Sequence, residues 1–308
     1  MNSFKQACVL VFGAGLVCVG NSFDQAAVAQ PQDFSQVEIQ TVPVAQGIYM
    51  LVGEGGNIGV STGEDGVFMI DDQYAPLTEK IVGAIADITP EPIRFLINTH
   101  WHFDHTGGNE NFGEAGVVIV AHDHVYERMS TDQFIDAFQA DVPASPSVAL
   151  PIITFNDTTT FHLNNQTIEA FHVAPAHTDG DTVIHFVDAD VIHAGDTYFN
   201  GLYPFIDTSS GGSIVGMIGA AERILALAGE NTKIIPGHGP LSNRAELEDY
   251  RRMLTDVRVR TESAIARGLS LDEFIASDPT ADYDEALGGG FLSPEQFQTI
   301  VYQSLSAE

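Results

Sequence analysis

The sequence predicts an α/β fold of two halves, each a β-sheet with helices packed outside it. Three observations predict it. Strand-like and helix-like segments follow in the order strands, helices, strands, helices along 308 residues. The hydrophobic share is 44%, enough for a sizeable core. Short apolar strands repeatedly end in turns that carry His or Asp, which is how open α/β sheets present a site at their carboxyl ends.

The first 29 residues read as a targeting segment. Lys5 supplies a positive start, and Ala7 to Gly20 is an apolar run too short to span a bilayer. Ala27-Val28-Ala29 is a small-x-small cleavage site, so the mature chain is expected to start at Gln30 in a periplasm or outside the cell. Cys8 and Cys18 both lie in this segment. The mature chain therefore has no disulfide, no thiol nucleophile and no thiolate ligand.

Gln36 to Thr41 alternates and reads as a strand. Gly47 to Val52, Asn57 to Ser61 and Gly66 to Ile70 follow as an antiparallel meander. The turn Gly53-Glu54-Gly55-Gly56 is placed to overhang a site. Leu77, Ile81, Ile85 and Ile88 repeat at helical spacing, with Pro76 before and Pro90 after. Ile93 to Ile97 is a short strand, and a short helix follows Gly107-Gly108. Val117 to Ala121 is a buried strand, and His122-Asp123-His124 after it suits a polar or surface role. Phe134 to Pro151 reads as a helix end and a loop flanking a cleft.

Asn164-Asn165 turns a hairpin between Thr158 to Leu163 and Gln166 to His172. Asp188-Ala189-Asp190 turns a second, between Thr182 to Val187 and Val191 to Ala194. A helix begins after Gly211-Gly212, and Thr232 to Ile235 is a strand. Asn243 with Glu246 forms a capping box for a long helix. Further helices begin at Leu271 and at Ser293-Pro294-Glu295-Gln296.

Lys and Arg number 12 against 42 Asp and Glu, a formal net charge of −30. So acidic a surface repels phosphate backbones and anionic membranes, which argues against nucleic acid and membrane partners. A small-molecule substrate is expected. Oligomeric state is not encoded in any motif.

The stretch Thr99-His100-Trp101-His102-Phe103-Asp104-His105 carries the chemistry. On an extended segment His100, His102 and Asp104 share one side, and His105 breaks the parity. His100 and His102 can hold one metal ion, and Asp104 and His105 can serve a second. Imidazole and carboxylate without thiolate suit zinc first, then iron or manganese. Trp101 and Phe103 face away, toward core. His177, Asp196 and His238 each follow a strand, as the first cluster follows Ile93 to Ile97. Each alone reads as a turn residue. At one edge of the fold, together, they call for metal.

In this order the residues resemble the metallo-β-lactamase superfamily, from about residue 36 to 240. The resemblance implies a four-layer αβ/βα sandwich of metal-dependent hydrolases, with a main domain over 30–255 and a helical extension of the same domain over 256–308. It assigns His100, His102 and His177 to a first zinc, Asp104, His105 and His238 to a second, and Asp196 to both. Asp71 would support the first cluster from behind. Asp at position 196, where zinc β-lactamases usually carry Cys or Ser, resembles glyoxalase II-like thioesterases and lactonases. His102, where flavodiiron relatives carry Glu, argues against oxygen reduction.

Two divalent ions make bound water acidic enough to supply hydroxide at neutral pH. That nucleophile suits an ester, lactone, thioester or lactam carbonyl. Asp104 can hold it and pass a proton to the leaving atom. Tyr198 is a candidate second oxyanion donor, or else a packed aromatic. Tyr203, Pro204 and Phe205 are candidates for the substrate mouth. A β-lactam is the first substrate expected, from the periplasmic address. A lactonase or thioesterase is the alternative, and a non-catalytic metal-binding protein is the alternative of another class. No Gly-x-Ser-x-Gly elbow supports serine catalysis.

Overall fold

A computed structural model describes residues 33–306. The targeting segment expected over 1–29 and the start expected at Gln30 lie outside these residues. The chain opens with four antiparallel strands, β1 (Gln40–Ala45), β2 (Ile48–Val52), β3 (Ile58–Ser61) and β4 (Val67–Ile70). The first begins at Gln40 rather than Gln36. Asp33 accepts a hydrogen bond from the Ser35 amide and winds Phe34–Gln36 into a 3-10 turn. The Lys80 ammonium then gathers the carbonyls of Phe34, Ser35 and Val37, which a strand would have needed for pairing.

Helix α1 (Thr78–Ala86) carries the chain over to β5 (Ile93–Ile97), which pairs parallel with β4. The helical turn α2 (Phe103–Thr106) and α3 (Asn109–Glu114) follow. β6 (Val118–His122) and α4 (Asp123–Met129) come next. The segment Phe134 to Pro151 is not a helix end. It contains a small hairpin, β7 (Gln133–Ile135) and β8 (Ala140–Val142), joined by a 3-10 turn over Asp136–Phe138. Short strands around a left-handed Gln139 leave no 3.6-residue period to read. β9 (Ile153–Phe155) completes a seven-stranded sheet.

The second sheet has six strands: β10 (Thr158–Leu163), β11 (Gln166–His172), β12 (Thr182–Phe186), β13 (Val191–His193), β14 (Lys233–Ile235) and β15 (Ser242–Asn243). Asn164 and Asn165 turn its first hairpin with φ of 55° and 57°, both left-handed. This is the two-residue turn that matches strand twist. Asn164 is committed, since its amide donates to the carbonyls of Ser61 and Gly66. Asn165→Gly is therefore expected to stabilise the fold by about 0.5 kcal/mol in urea unfolding, by removing the left-handed cost. A loss of stability would show that the Asn165 side chain has a role in the turn.

Helix α5 (Ile214–Leu227) starts where Ser213 caps the Gly216 amide. Helix α6 (Arg244–Ala266) starts at Asn243, whose side chain accepts from the amides of Ala245 and Glu246. The reciprocal half of the expected capping box is not made, because the Glu246 carboxylate accepts instead from Ser242 Oγ. α7 (Leu271–Ala276), α8 (Ala281–Leu287) and α9 (Pro294–Ser306) close the chain. The boundary expected between 255 and 256 falls inside α6. Among the described residues no helix is long and apolar enough to cross a membrane.

Side-chain alternation explains the layering. In β4, Phe68 and Ile70 face the second sheet, where they meet Ile168, Ile184 and Phe186. Val67 and Met69 point the other way, onto Ile81 and Ile85 of α1 and Phe112 of α3. The second sheet does the same with Val183 and Ile192 against α5, α6 and α9. Both faces of both sheets are thus covered, and the layers run helix, sheet, sheet, helix as expected. Each fully buried Ile or Phe contributes about 1.5–3 kcal/mol. The ends of β4, β5, β11, β13 and β14 lead into the loops that hold the site.

Candidate metal centre

β5 ends at Ile97, and the chain then bends through Thr99, His100 and Trp101. His102 then begins α2, with φ −63° and ψ 147°. The extended reading of the cluster is therefore corrected, first by the bend over Thr99 to Trp101 and then by the helical turn from Phe103. Asp104 and His105 sit on a helical turn, which swings both toward a second group of ligand atoms beside the first. Trp101 is buried in the core with Phe103 packed against that cluster, as their parity predicted.

The side chains fall into overlapping groups: His100, His102 and His177; His100, His105 and Asp196; Asp104, His105 and His238. In the first, His177 Nε2 lies 2.8 Å from His102 Nδ1. In the last, His238 Nε2 is 3.3 Å from Asp104 Oδ2 and 3.4 Å from His105 Nε2. Asp196 stands between, with Oδ1 3.0 Å from His105 Nε2 and Oδ2 3.5 Å from His177 Nε2 and 3.4 Å from His238 Nε2. Two atoms bound tetrahedrally at zinc distances are about 3.4 Å apart. His100 Nε2 is buried without a hydrogen-bond partner among the described residues. Unpartnered polar atoms are costly in a dry interior, so a cation is what this set fits.

Backing residues fix which nitrogen faces inward. His177 Nδ1 donates to the Phe205 carbonyl, 2.7 Å away, which leaves Nε2 for the site. His105 Nδ1 donates to Asp71 Oδ2 at 2.7 Å. His102 turns its Nε2 to Asp207 Oδ2 at 3.0 Å and offers Nδ1. Such partners orient ligands as much as the fold does. Asp71 takes a left-handed φ of 60° at the end of β4, tolerable for Asp, and also accepts from the Thr99 amide and hydroxyl.

Burial holds His177 down to about 4, and it holds His100 well below the usual imidazole value, helped by His105. These imidazoles are neutral, the form that ligates. Burial alone would lower His238 and His105 too. Asp196 and Asp104 outweigh it, raising His238 to about 9 and His105 well above the ordinary value. Burial opposes ionisation of Asp104, yet His105 and His238 bring it to about 2. Asp104 and His238 keep 21% and 23% of their side chains exposed, so the centre opens on their side.

Tyr198 does not reach this opening. Its ring is fully buried against Tyr250, and its hydroxyl bonds Ser242 Oγ at 2.7 Å. The structure places it as the packed aromatic, not an oxyanion donor. Tyr203 likewise stacks on Phe297 and bonds Asp284. Phe205 of that trio lies against the imidazoles, 5.8 Å from His102 and 5.7 Å from His177 between ring centroids. His122 stacks on His172 at 3.9 Å with its Nε2 on the Asn156 carbonyl, a structural polar role.

Sequence reasoning missed Asp207, Asp181 and the room that Gly237 makes. Asp181 accepts from the amides of His177 and Thr178 and so shapes that ligand's loop. The Asp207-x-Ser209-Ser210 pattern is a visible signal for a carboxylate that gathers its own turn. A Cβ on Gly56 would run into the His105 ring, and one on Gly237 into the Asp196 carboxylate. The overhanging turn expected at Gly53 to Gly56 thus packs directly on the centre.

Two covered sheets with overlapping groups of metal-ligand side chains at their strand ends define a metal-binding α/β sandwich. The chain belongs to the metallo-beta-lactamase superfamily, whose model matches residues 49–261. It is similar to a hydroxyacylglutathione hydrolase of Pelagibacter ubique, 26% identical over 47% of this chain and 52% of that protein. It is also similar to an acyl-coenzyme A thioesterase of Bos taurus, 26% identical over 46% of this chain and 54% of that protein. The chain spans about half the length of these curated relatives. A solved metallo-beta-lactamase from Pontibacter korlensis superposes with a TM-score of 0.59 at 17% identity, over 71% of this chain and all of that one. At that identity the likeness is one of fold.

Proposed function

We propose that this chain is an exported dinuclear zinc hydrolase that opens an activated acyl bond. The observation that carries this reading is Asp196, whose carboxylate stands between His177 of the first ligand group and His105 and His238 of the last. Bound there, two divalent ions supply an acidified water and a Lewis acid for a carbonyl. Asp104 lies at the open side, ionised, and is the group placed to take a proton from the nucleophile and return it to the leaving atom. His102, His105 and His177 are oriented by Asp207, Asp71 and the Phe205 carbonyl.

Among substrates, esters, lactones and thioesters stand ahead of the β-lactam. A lactam brings a carboxylate, and among the described residues no Lys or Arg pairs with the cluster. Arg128 is tied to Asp179, Arg223 to the His172 carbonyl and Arg260 to Asp282. The similarity to a thioesterase and a hydroxyacylglutathione hydrolase supports the same order.

Metal content is expected at two ions per chain, with chelator-sensitive hydrolysis of an ester, lactone or thioester exceeding that of a chromogenic cephalosporin. Full activity in metal-stripped protein would overturn the reading. Two bound ions with no turnover of any acyl class would favour the non-catalytic alternative. Recovery of the protein in a cytoplasmic rather than a periplasmic or secreted fraction would refute export.

A further inference from the structure

Three phenylalanines from separate parts of the chain form a continuous run from the metal centre to the surface. Phe205 lies against His102 and His177 and is 5% exposed. Phe138, in the turn of the β7–β8 hairpin, stands 4.8 Å from Phe205 between ring centroids. Phe291, just after the triple-glycine turn, stands 5.7 Å from Phe138 and is 55% exposed. The turn is pressed against the loop that follows Asp196, since a Cβ on Gly290 would collide with the Leu202 side chain.

A half-exposed Phe gains little from folding, and an aromatic path that ends on ligand imidazoles has the form of a substrate wall. The surrounding chemistry says what the wall takes. The chain carries a net charge of −30, and Arg128, Arg223 and Arg267 are committed to Asp179, the His172 carbonyl and the Ser263 carbonyl. An anionic tail would be repelled and left unpaired.

We infer that Phe205, Phe138 and Phe291 form the subsite for the apolar, uncharged part of the substrate, so that the hairpin and the C-terminal segment set specificity. The inference rests on the acyl-hydrolase reading and names its substrate class: neutral esters, lactones or thioesters with a sizeable apolar portion.

The test is the double variant Phe138→Ala/Phe291→Ala in the metal-loaded full chain. Neither residue belongs to the groups of ligand side chains, so metal content should be unchanged. Neutral esters lengthened on the acyl side and, separately, on the alkoxy side are compared with their short homologue. In the series where the wild type prefers the longer ester, kcat/KM for that ester should fall about tenfold, with the short homologue changed by less than about twofold. Equal loss on both, or unchanged chain-length preference, overturns the subsite. Binding of N-phenyl-1-naphthylamine, read by fluorescence, separates the two claims. Probe binding that the variant loses, with no ester hydrolysed by the wild type, keeps the subsite and removes the acyl-hydrolase reading. No probe binding by the wild type removes the subsite whatever the ester rates are.

Discussion

His100→Ala is expected to lower hydrolysis by roughly three or more powers of ten, because it removes the ligand that the first two groups share. The remaining first-group imidazoles, His102 and His177, cannot alone hold an ion in a four-coordinate site. The cost to the metal-free fold should be small. Among the described residues His100 Nδ1 has one hydrogen-bonding neighbour, Thr99 Oγ1 at 3.0 Å, and its Nε2 makes no hydrogen bond, so its loss strands little. The two effects are separable by metal analysis and thermal unfolding. Metal-free wild type and variant should melt within a few degrees of each other, while only the wild type gains stability when ions are added. Undiminished hydrolysis by the variant would end the site assignment.

Asp71→Ala is the change expected to damage the fold most. Asp71 is fully buried and its carboxylate receives the Thr99 amide, the Thr99 hydroxyl and His105 Nδ1, each at 2.7 Å. Alanine would leave these groups in a dry interior without an acceptor, a loss of about 3–5 kcal/mol. Asp71→Asn should be gentler. Asn accepts the left-handed φ of 60° and keeps one acceptor oxygen. Its amide cannot replace the charge behind His105, so metal affinity should still fall about 10–100-fold. Urea unfolding of the metal-free proteins reads the first effect, and competition with a chromophoric chelator reads the second. An Asp71→Ala chain as stable as the wild type would show that Thr99 and His105 find other partners.

Much of the scaffold is legible because its signals are local. Phe68 and Ile70 alternate with Val67 and Met69, and the structure sends the pairs to opposite cores. Asn164-Asn165 admits few turns, and the structure uses the one that twisted strands prefer. The hairpin at 133–142 was not legible, since its strands are too short to establish a period. The start of β1 was displaced by Lys80, a residue remote in the chain that captures the Phe34, Ser35 and Val37 carbonyls. At the centre, spacing marked His100 to His105, but it described an extended segment where α2 turns Asp104 and His105 about.

The amino-acid order by itself determined the layers and the kinds of ligand atom, because periodicity and motif spacing record what each residue does with its immediate neighbours. Only the tertiary structure decided that Tyr198 is core, that Asp207 aims His102, and that Phe138 joins Phe291 to Phe205 against His102 and His177. Those outcomes depend on which distant side chains the packing of two sheets brings within a few ångströms, and no local spacing carries that information.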